Sequence, residues 1–337
     1  MANVNPAYWK DKRVLVTGIT GFAGSWVAEL LLPMGAKLFG VLRRHSIPRY
    51  DNIEHVAEKI TFVTGDLSDQ RSIYDSLKKN EIDVVFHLAA QSFVPQSFKA
   101  PVDTYLTNVI GTVNVLEAVR QYDGVEKMMF AGSSEEYGLV HPDEVPIKET
   151  NPLRPLSPYA VSKIAGDFAC YNHFKSYGVP VVRTRAFNHT GPRRGQSFVT
   201  ATIARQAAEI KLGKRAAFEL GNLDAKRDFS DVRDVVRGYM LAIEKAENGE
   251  VYNIASGHAY SIKQVVELAS ELAGIKAAVR QDPSKMRPSD VPILLGDYSK
   301  AKATFGYEPT IAFEKTFADL LDWQIANVKA GKNLMVV

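Results

Sequence analysis

Residues 13–34 limit the fold more than any other stretch of the chain. Arg13-Val14-Leu15-Val16-Thr17 reads as a short buried strand, and it runs into Gly18-Ile19-Thr20-Gly21-Phe22-Ala23-Gly24. An apolar helix is predicted next, over 26–34. A strand, a glycine turn and a helix in that order form an arrangement that accepts a dinucleotide phosphate. The glycines let backbone N–H groups and the helix N-terminus approach the pyrophosphate closely. Gly18, Thr20, Gly21, Phe22, Ala23 and Gly24 are the candidate contacts. The spacing is Gly-x-x-Gly-x-x-Gly, which differs from the Gly-x-Gly-x-x-Gly of the common dehydrogenases.

The same alternation continues. A second strand, Lys37 to Leu42, ends without the acid that would bond a ribose 2′-hydroxyl; Arg43 and Arg44 follow instead. Guanidinium groups there suit a 2′-phosphate, which points to NADP over NAD, although a solvated basic turn reads the same way. A third strand, Ile60 to Thr64, leads into Gly65-Asp66-Leu67, where an acid could bond the adenine amino group. A fourth, over 83–88, ends at Leu88 and opens into Ala89-Ala90-Gln91-Ser92, residues small enough for a cofactor to lie close. One helix is predicted over 102–121 with Asn108 near its middle, then a fifth strand over 127–131. His87 reads as a packed core histidine. Strands alternating with helices give right-handed crossovers and a parallel, doubly wound sheet, with ligands beyond the strands' carboxyl ends. Gly18–Gly24, Ala89–Ser92 and Ser133–Glu135 should therefore meet in one crevice.

At 337 residues and a formal net charge of +3, the chain has ample material for a core and no bulk charge pointing to nucleic acid or a membrane surface. A lone cysteine, Cys170, excludes an internal disulfide and a cysteine-based metal cluster, and no metal site is expected. No apolar run reaches membrane-span length and no signal-peptide pattern opens the chain, so a cytoplasmic location is expected.

The chemistry-bearing stretch is Ser157-Pro158-Tyr159-Ala160-Val161-Ser162-Lys163. Ser157 can cap a helix that Pro158 opens. Tyr159 and Lys163 then stand one turn apart on a single face. A phenol titrates near about 10, and an ammonium within roughly 4–6 Å can lower that by about 1–3 units. Such a tyrosinate could take a proton from a sugar or alcohol hydroxyl. By spacing alone, an amphipathic helix with an exposed Tyr and Lys fits equally. Upstream, Gly132-Ser133-Ser134-Glu135-Glu136-Tyr137 follows the fifth strand. A Ser133 hydroxyl there can bond the oxygen that Tyr159 deprotonates.

Together these elements resemble the short-chain dehydrogenase/reductase superfamily in its extended, nucleotide-sugar branch, over nearly the whole chain. The resemblance implies an α/β fold with a Rossmann-type doubly wound parallel sheet and a smaller α/β C-terminal lobe. The cofactor domain would span 1–185 with later segments (about 231–260) interleaved, and 186–337 would mainly form the sugar-nucleotide lobe. It also implies Tyr159, Lys163 and Asn108 beside the cofactor, and pairing of the helices near 101–122 and 157–177 into a homodimer or homotetramer.

The later half narrows the branch. Phe187-Asn188-His189-Thr190-Gly191-Pro192-Arg193-Arg194-Gly195 follows a sixth strand over 181–185 and precedes Phe198-Val199-Thr200 and a helix running to about Leu212. Then come Gly221-Asn222-Leu223-Asp224-Ala225-Lys226-Arg227-Asp228-Phe229 and Arg287-Pro288-Ser289-Asp290-Val291. These stretches look like the GDP-mannose 4,6-dehydratases and the GDP-6-deoxy-4-keto-mannose reductases. The resemblance implies a GDP-sugar gripped by Asn188, Arg194, Arg227 and Arg287, with Val199 against the base and Ser92, Glu135 and Asp290 among the substrate contacts. In the dehydratases the tyrosine removes the O4 proton as hydride leaves C4. A glutamate then takes the C5 proton, water leaves C6 and the hydride returns there. Glu135 stands at that glutamate's position, Ser133 would polarise O4, and Glu136 reads as structural. The remaining helices, over 231–245, 261–273 and 313–328, and the strand Val251–Ile254 read as scaffold.

The chain departs from the dehydratase pattern at Thr190-Gly191, where Glu-Ser is usual, and at Ala201-Thr202, where an Arg-Lys pair is usual. The expectation is a GDP-mannose 4,6-dehydratase using NADP. The open alternatives are the NADPH-dependent 4-keto-reductase, a dehydratase of a related sugar such as a GDP-heptose, and a silent NADP-sensing protein. The last commonly loses the tyrosine or the lysine, and this chain keeps both.

Overall fold

The computed structural model describes residues 4–43, 50–286 and 291–332. Its centre is a seven-stranded sheet, parallel throughout. In space the strands run Val251–Ile254, Val181–Ala186, Lys127–Ser133, Val84–His87, Arg13–Thr17, Lys37–Leu42, Ile60–Thr64. The central strands are continuous apolar runs because both faces are covered; Val84, Val85 and Phe86 have no exposed surface. One core lies under Trp26, Val27, Leu31 and the helix Val232–Lys245, and the other under Ile73, Leu77, Val115 and Val119. The order reverses between Arg13–Thr17 and Val84–His87, the place where a doubly wound sheet opens a crevice.

The first helix after the glycine turn is Phe22–Leu31, beginning four residues earlier than the apolar pattern predicts. Phe22, Ala23 and Gly24 belong to its first turn, because tight packing fixes the glycine positions. Gly18 has φ 75°, and a Cβ on Gly24 would lie 2.2 Å from the Gly18 carbonyl oxygen. Glycine alone fits either place.

The single helix predicted over 102–121 is interrupted. Pro101–Tyr105 and Gly111–Tyr122 are α-helical, and Leu106–Ile110 between them forms a π turn. Such a turn accommodates one extra residue and commonly marks a functional position. Here it carries Asn108.

A separate core belongs to a smaller lobe, where the helices Val199–Lys211, Ile262–Ala273 and Phe313–Lys329 pack together through Ala204, Val265, Phe317 and Leu320. Its short strands escaped the sequence reading. Asn188–Thr190, Ala217–Leu220 and Ala259–Ser261 have only three or four residues each, and Lys226–Asp231 is polar everywhere except Phe229, so no alternation registers. The chain crosses back to the main sheet: Val232–Lys245, Val251–Ile254 and Ser299–Phe305 all contribute to its core.

Candidate active site

Between the two lobes lies a cavity of about 390 Å³, within the usual range for small-molecule sites. One wall is the glycine turn, with Gly18, Gly21, Phe22, Ala23 and Gly24; a second is Leu88, Ala89, Ala90 and Ser92. A Cβ on Gly18 would come within 3.1 Å of the Ala89 backbone, so the two strand ends close on each other across the switch point. Gly21 caps the helix without a side-chain acceptor, leaving first-turn N–H groups disposed toward an anion. This cradle fits the phosphates of a nicotinamide dinucleotide.

The third wall carries the acid–base groups. The helix Pro158–Tyr177 starts at Ser157, whose hydroxyl accepts from the Ala160 N–H at 3.1 Å. Tyr159 and Lys163 sit on its buried face and line the cavity with Ser133, Ser134 and Glu135. Ser133 lies beside the Tyr159 phenol and works to lower its titration, and its oxygen accepts from the Glu135 N–H at 3.2 Å. The four residues expected to do the chemistry therefore share one chamber with the glycine turn.

The electrostatics differ from the sequence expectation. Burial raises the Tyr159 phenol above its ordinary value, with Glu135 and Glu136 adding to the rise. Ser133 and the positive charge of Arg194 pull it back. Lys163 directs its ammonium to the Ala131 carbonyl, 2.8 Å away, and over the Phe130 ring. Burial draws its own titration down to about 8. Arg194, brought in from the loop after the sixth strand, adds a positive charge that acts on the phenol, a contribution that helical spacing, which pointed to Lys163, does not reveal.

That loop forms the fourth wall, with Asn188, His189, Arg194, Phe198 and Val199. The Arg194 guanidinium lies 3.4 Å from the Phe198 ring centroid and 4.8 Å from that of Phe22, and burial brings its titration down to about 9. Asn188 Oδ1, Arg194 Nε, Gln196 Nε2 and Ser197 Oγ are buried here without a hydrogen-bond partner among the described residues. Buried polar atoms rarely stay unpaired, so a run of four in ten residues marks where a polar ligand supplies the missing bonds.

Several expected contacts act at one remove or lie elsewhere. Asn108 does not reach the cavity. Its Oδ1 accepts from the Gln91 N–H at 2.8 Å, and its Nδ2 donates to the Gln91 carbonyl and to Ser162 Oγ, both at 2.9 Å. It therefore holds the Ala89–Ser92 loop to the Tyr159 helix. Thr20 turns its carbonyl to Asn52 Nδ2 at 3.2 Å. Asp66 accepts from the Ser68 N–H and hydroxyl at 2.9 and 2.8 Å, with Arg43 near enough to help hold it ionised. Leu67 packs against Gly111. None of Thr20, Arg43, Asp66 and Leu67 forms part of the cavity wall. Arg227 is also outside it, donating to the Lys226 and Val291 carbonyls at 2.8 and 2.7 Å. Arg44, Arg287 and Asp290 lie outside the described residues.

Two readings of single residues match the structure. His87 is a packed histidine, bridging Thr17 Oγ1 at 2.9 Å and Thr112 Oγ1 at 3.0 Å, with burial bringing its titration down to about 3. Glu136 is buried behind the site, accepting from the Ser133 N–H at 2.7 Å and facing Arg185 at 3.0 Å. Sequence reasoning passed over Phe93, Tyr239 and Trp323, which also line the cavity. Phe93 follows the Ala89–Ser92 wall directly and could have been found there. Tyr239 and Trp323 come from distant helices with no local signal.

A family model described as GDP-mannose 4,6 dehydratase matches residues 15–320. The GDP-mannose 4,6-dehydratase of Yersinia enterocolitica is 35% identical, over 94% of this chain and 95% of that protein. Among solved structures, RMD from Pseudomonas aeruginosa complexed with NADPH superposes with a TM-score of 0.80 at 30% identity, covering 94% of this chain and 99% of that one. The Thermus thermophilus UDP-glucose 4-epimerase complex with NAD gives 0.81 at 31%, covering 93% and 98%.

Proposed function

This chain belongs to the GDP-mannose 4,6-dehydratase family, and from that premise we propose that it removes water from GDP-mannose, giving the 4-keto-6-deoxy sugar, with NADP as its dinucleotide. The observation that carries the reading is the convergence of Ser133, Glu135, Tyr159 and Lys163 on the cavity that the glycine turn opens. A nicotinamide bound there supplies the hydride acceptor and donor. Tyr159 takes the O4 proton, with Ser133 bonded to the same oxygen. Lys163 and Arg194 place positive charge around the developing oxyanion. Glu135, in the same cavity as the phenol, takes the C5 proton once C4 is a ketone and passes a proton to the departing C6 oxygen. Arg194 and Asn188 hold the sugar diphosphate, and Val199 meets the base. Arg43, after a strand with no terminal acid, supports NADP. No helix among the described residues is long and apolar enough to cross a membrane, which agrees with a cytoplasmic place for an enzyme of nucleotide sugars.

Thr190, Ala201 and Thr202 support a second reading. Thr190 spends its hydroxyl on Thr200 at 2.7 Å, Ala201 is fully buried, and Thr202 bonds the Gln196 and Phe198 carbonyls. No charge is presented at the positions where dehydratases carry one, so reduction of the 4-keto sugar by NADPH uses the same Tyr159, now as acid. Purified protein given GDP-mannose and no added reductant should yield the 4-keto-6-deoxy product. Inertness toward GDP-mannose combined with NADPH oxidation on that product would assign the reductase instead.

Val102, Leu106 and Ile110 follow one another at four-residue spacing and are 65%, 53% and 48% exposed. Phe168 and Tyr171 extend that face on the adjacent Tyr159 helix. We read this as the surface that pairs two copies. Leu106→Glu places a charge at its centre and should convert a dimer, or a tetramer built from it, to a smaller species by light scattering; an unchanged mass refutes the assignment.

A further inference from the structure

Two phenols enter the ligand chamber from opposite faces of the sheet. The Tyr159 helix packs on one face, through Cys170 and Phe174. Tyr239 belongs to the helix Val232–Lys245, which packs on the other face through Val235 and Val236. Both rings line the cavity, and the small residues Ala131, Gly132 and Ala186 line it at the strand ends. Tyr239 is 2% exposed. Thr184 lies beside its hydroxyl but spends its own proton on the Phe130 carbonyl, 3.2 Å away. Tyr307, another phenol within reach of its charge, donates to the Ala255 carbonyl at 3.2 Å. The charges that act on Tyr239 from the chamber are those of Tyr159 and Arg194. Burial, and then a Tyr159 anion, raise the Tyr239 phenol above its ordinary value, so Tyr239 keeps its proton while Tyr159 titrates.

We propose that Tyr239 is a positioning residue for the proton step at Tyr159: from the far face of the sheet, its hydroxyl donates toward the Tyr159 oxygen whenever that oxygen is an anion. The inference rests on the reading of Tyr159 as the group that exchanges a proton with O4. In the dehydratase direction the Tyr159 anion takes the O4 proton, and Tyr239 keeps its own throughout. Ser133 and Arg194 favour that anion, while burial, Glu135 and Glu136 oppose it. One more donor, held neutral by its own burial, enlarges the share of Tyr159 that is ionised near neutral pH.

Tyr239→Phe removes the hydroxyl and keeps the ring in the core. The measurement is the ratio of wild-type to variant kcat across pH, in which titrations common to both proteins, such as those of Lys163 and Arg194, cancel. Without the donor the Tyr159 anion forms less readily, so its titration should move up by about one pH unit, a tenfold change. For dehydration the ratio should be about ten near pH 7 and within about twofold of unity near pH 10. For reduction of the 4-keto sugar, where Tyr159 gives a proton, the ratio should also fall as pH rises, because the variant stays protonated longer. GDP and NADPH affinities, read by calorimetry on the whole protein, should stay within about twofold, since the hydroxyl is assigned to neither ligand. A ratio that is flat across pH marks a merely structural phenol and overturns the proposal, as does a tenfold loss of either nucleotide. Turnover by Tyr159→Phe would strike the underlying reading instead, whereas an inactive Tyr159→Phe beside a flat ratio removes the role of Tyr239 alone.

Discussion

Tyr159→Phe is expected to lower turnover by about 10²–10⁴-fold, the range a positioned acid–base group contributes, while leaving nucleotide affinity within a few-fold. The ring keeps its place in the wall, so the packing around Ser133 and Arg194 survives the loss of one hydroxyl. What is lost is the hydroxyl proposed to exchange a proton with O4. The sign is the same for the dehydratase and the reductase, because each needs that oxygen in one of its two protonation states. Steady-state kinetics with parallel GDP and NADPH titrations check it. Turnover close to wild type would remove the proposed mechanism, whatever the substrate proves to be.

Arg185→Met is expected to cost about 3–5 kcal/mol of stability, the usual consequence of removing one partner from a buried ion pair. Arg185 is 3% exposed and faces two carboxylates, Glu136 at 3.0 Å and Asp167 at 3.1 Å, neither with any exposed side-chain surface. Burial works against its charge, but those carboxylates hold the guanidinium protonated. Asp167 also binds Arg183, which donates to the Gly249 carbonyl at 2.7 Å. With Arg185 gone, two carboxylates would share a dry chamber with half of their positive charge. The exposed pair Lys12–Glu126 provides the contrast: Lys12→Met should cost at most about 1 kcal/mol. Denaturant unfolding of both variants checks the ranking, and equal midpoints would show the buried network to be dispensable. Since Glu136 also fixes the Ser133 N–H, the Arg185 variant should lose activity along with stability.

Much of this was legible in order along the chain. The strands Arg13–Thr17 and Lys37–Leu42 appear as the apolar runs predict, because a strand covered on both faces is apolar along most of its length, and Ile60–Thr64 appears at the sheet edge with only Ile60 buried. Ser157 and Pro158 announced a helix start through local hydrogen bonding and a fixed φ. The site was legible where its residues lie at strand ends, since topology alone sends those ends to one crevice. It was not legible at Asn108, whose π turn has no sequence period, nor at Trp323, which reaches the cavity from the last helix.

The sequence by itself determined the strand–glycine–helix opening, the alternation that makes the sheet parallel, and the Tyr159–Lys163 face, all of which rest on local sterics and hydrogen bonds. Only the tertiary structure decided which charges act on the phenol, which arginines line the cavity and which hold carbonyls. Charge interactions depend on burial and on distance through space, and neither quantity is written in the spacing of residues along a chain.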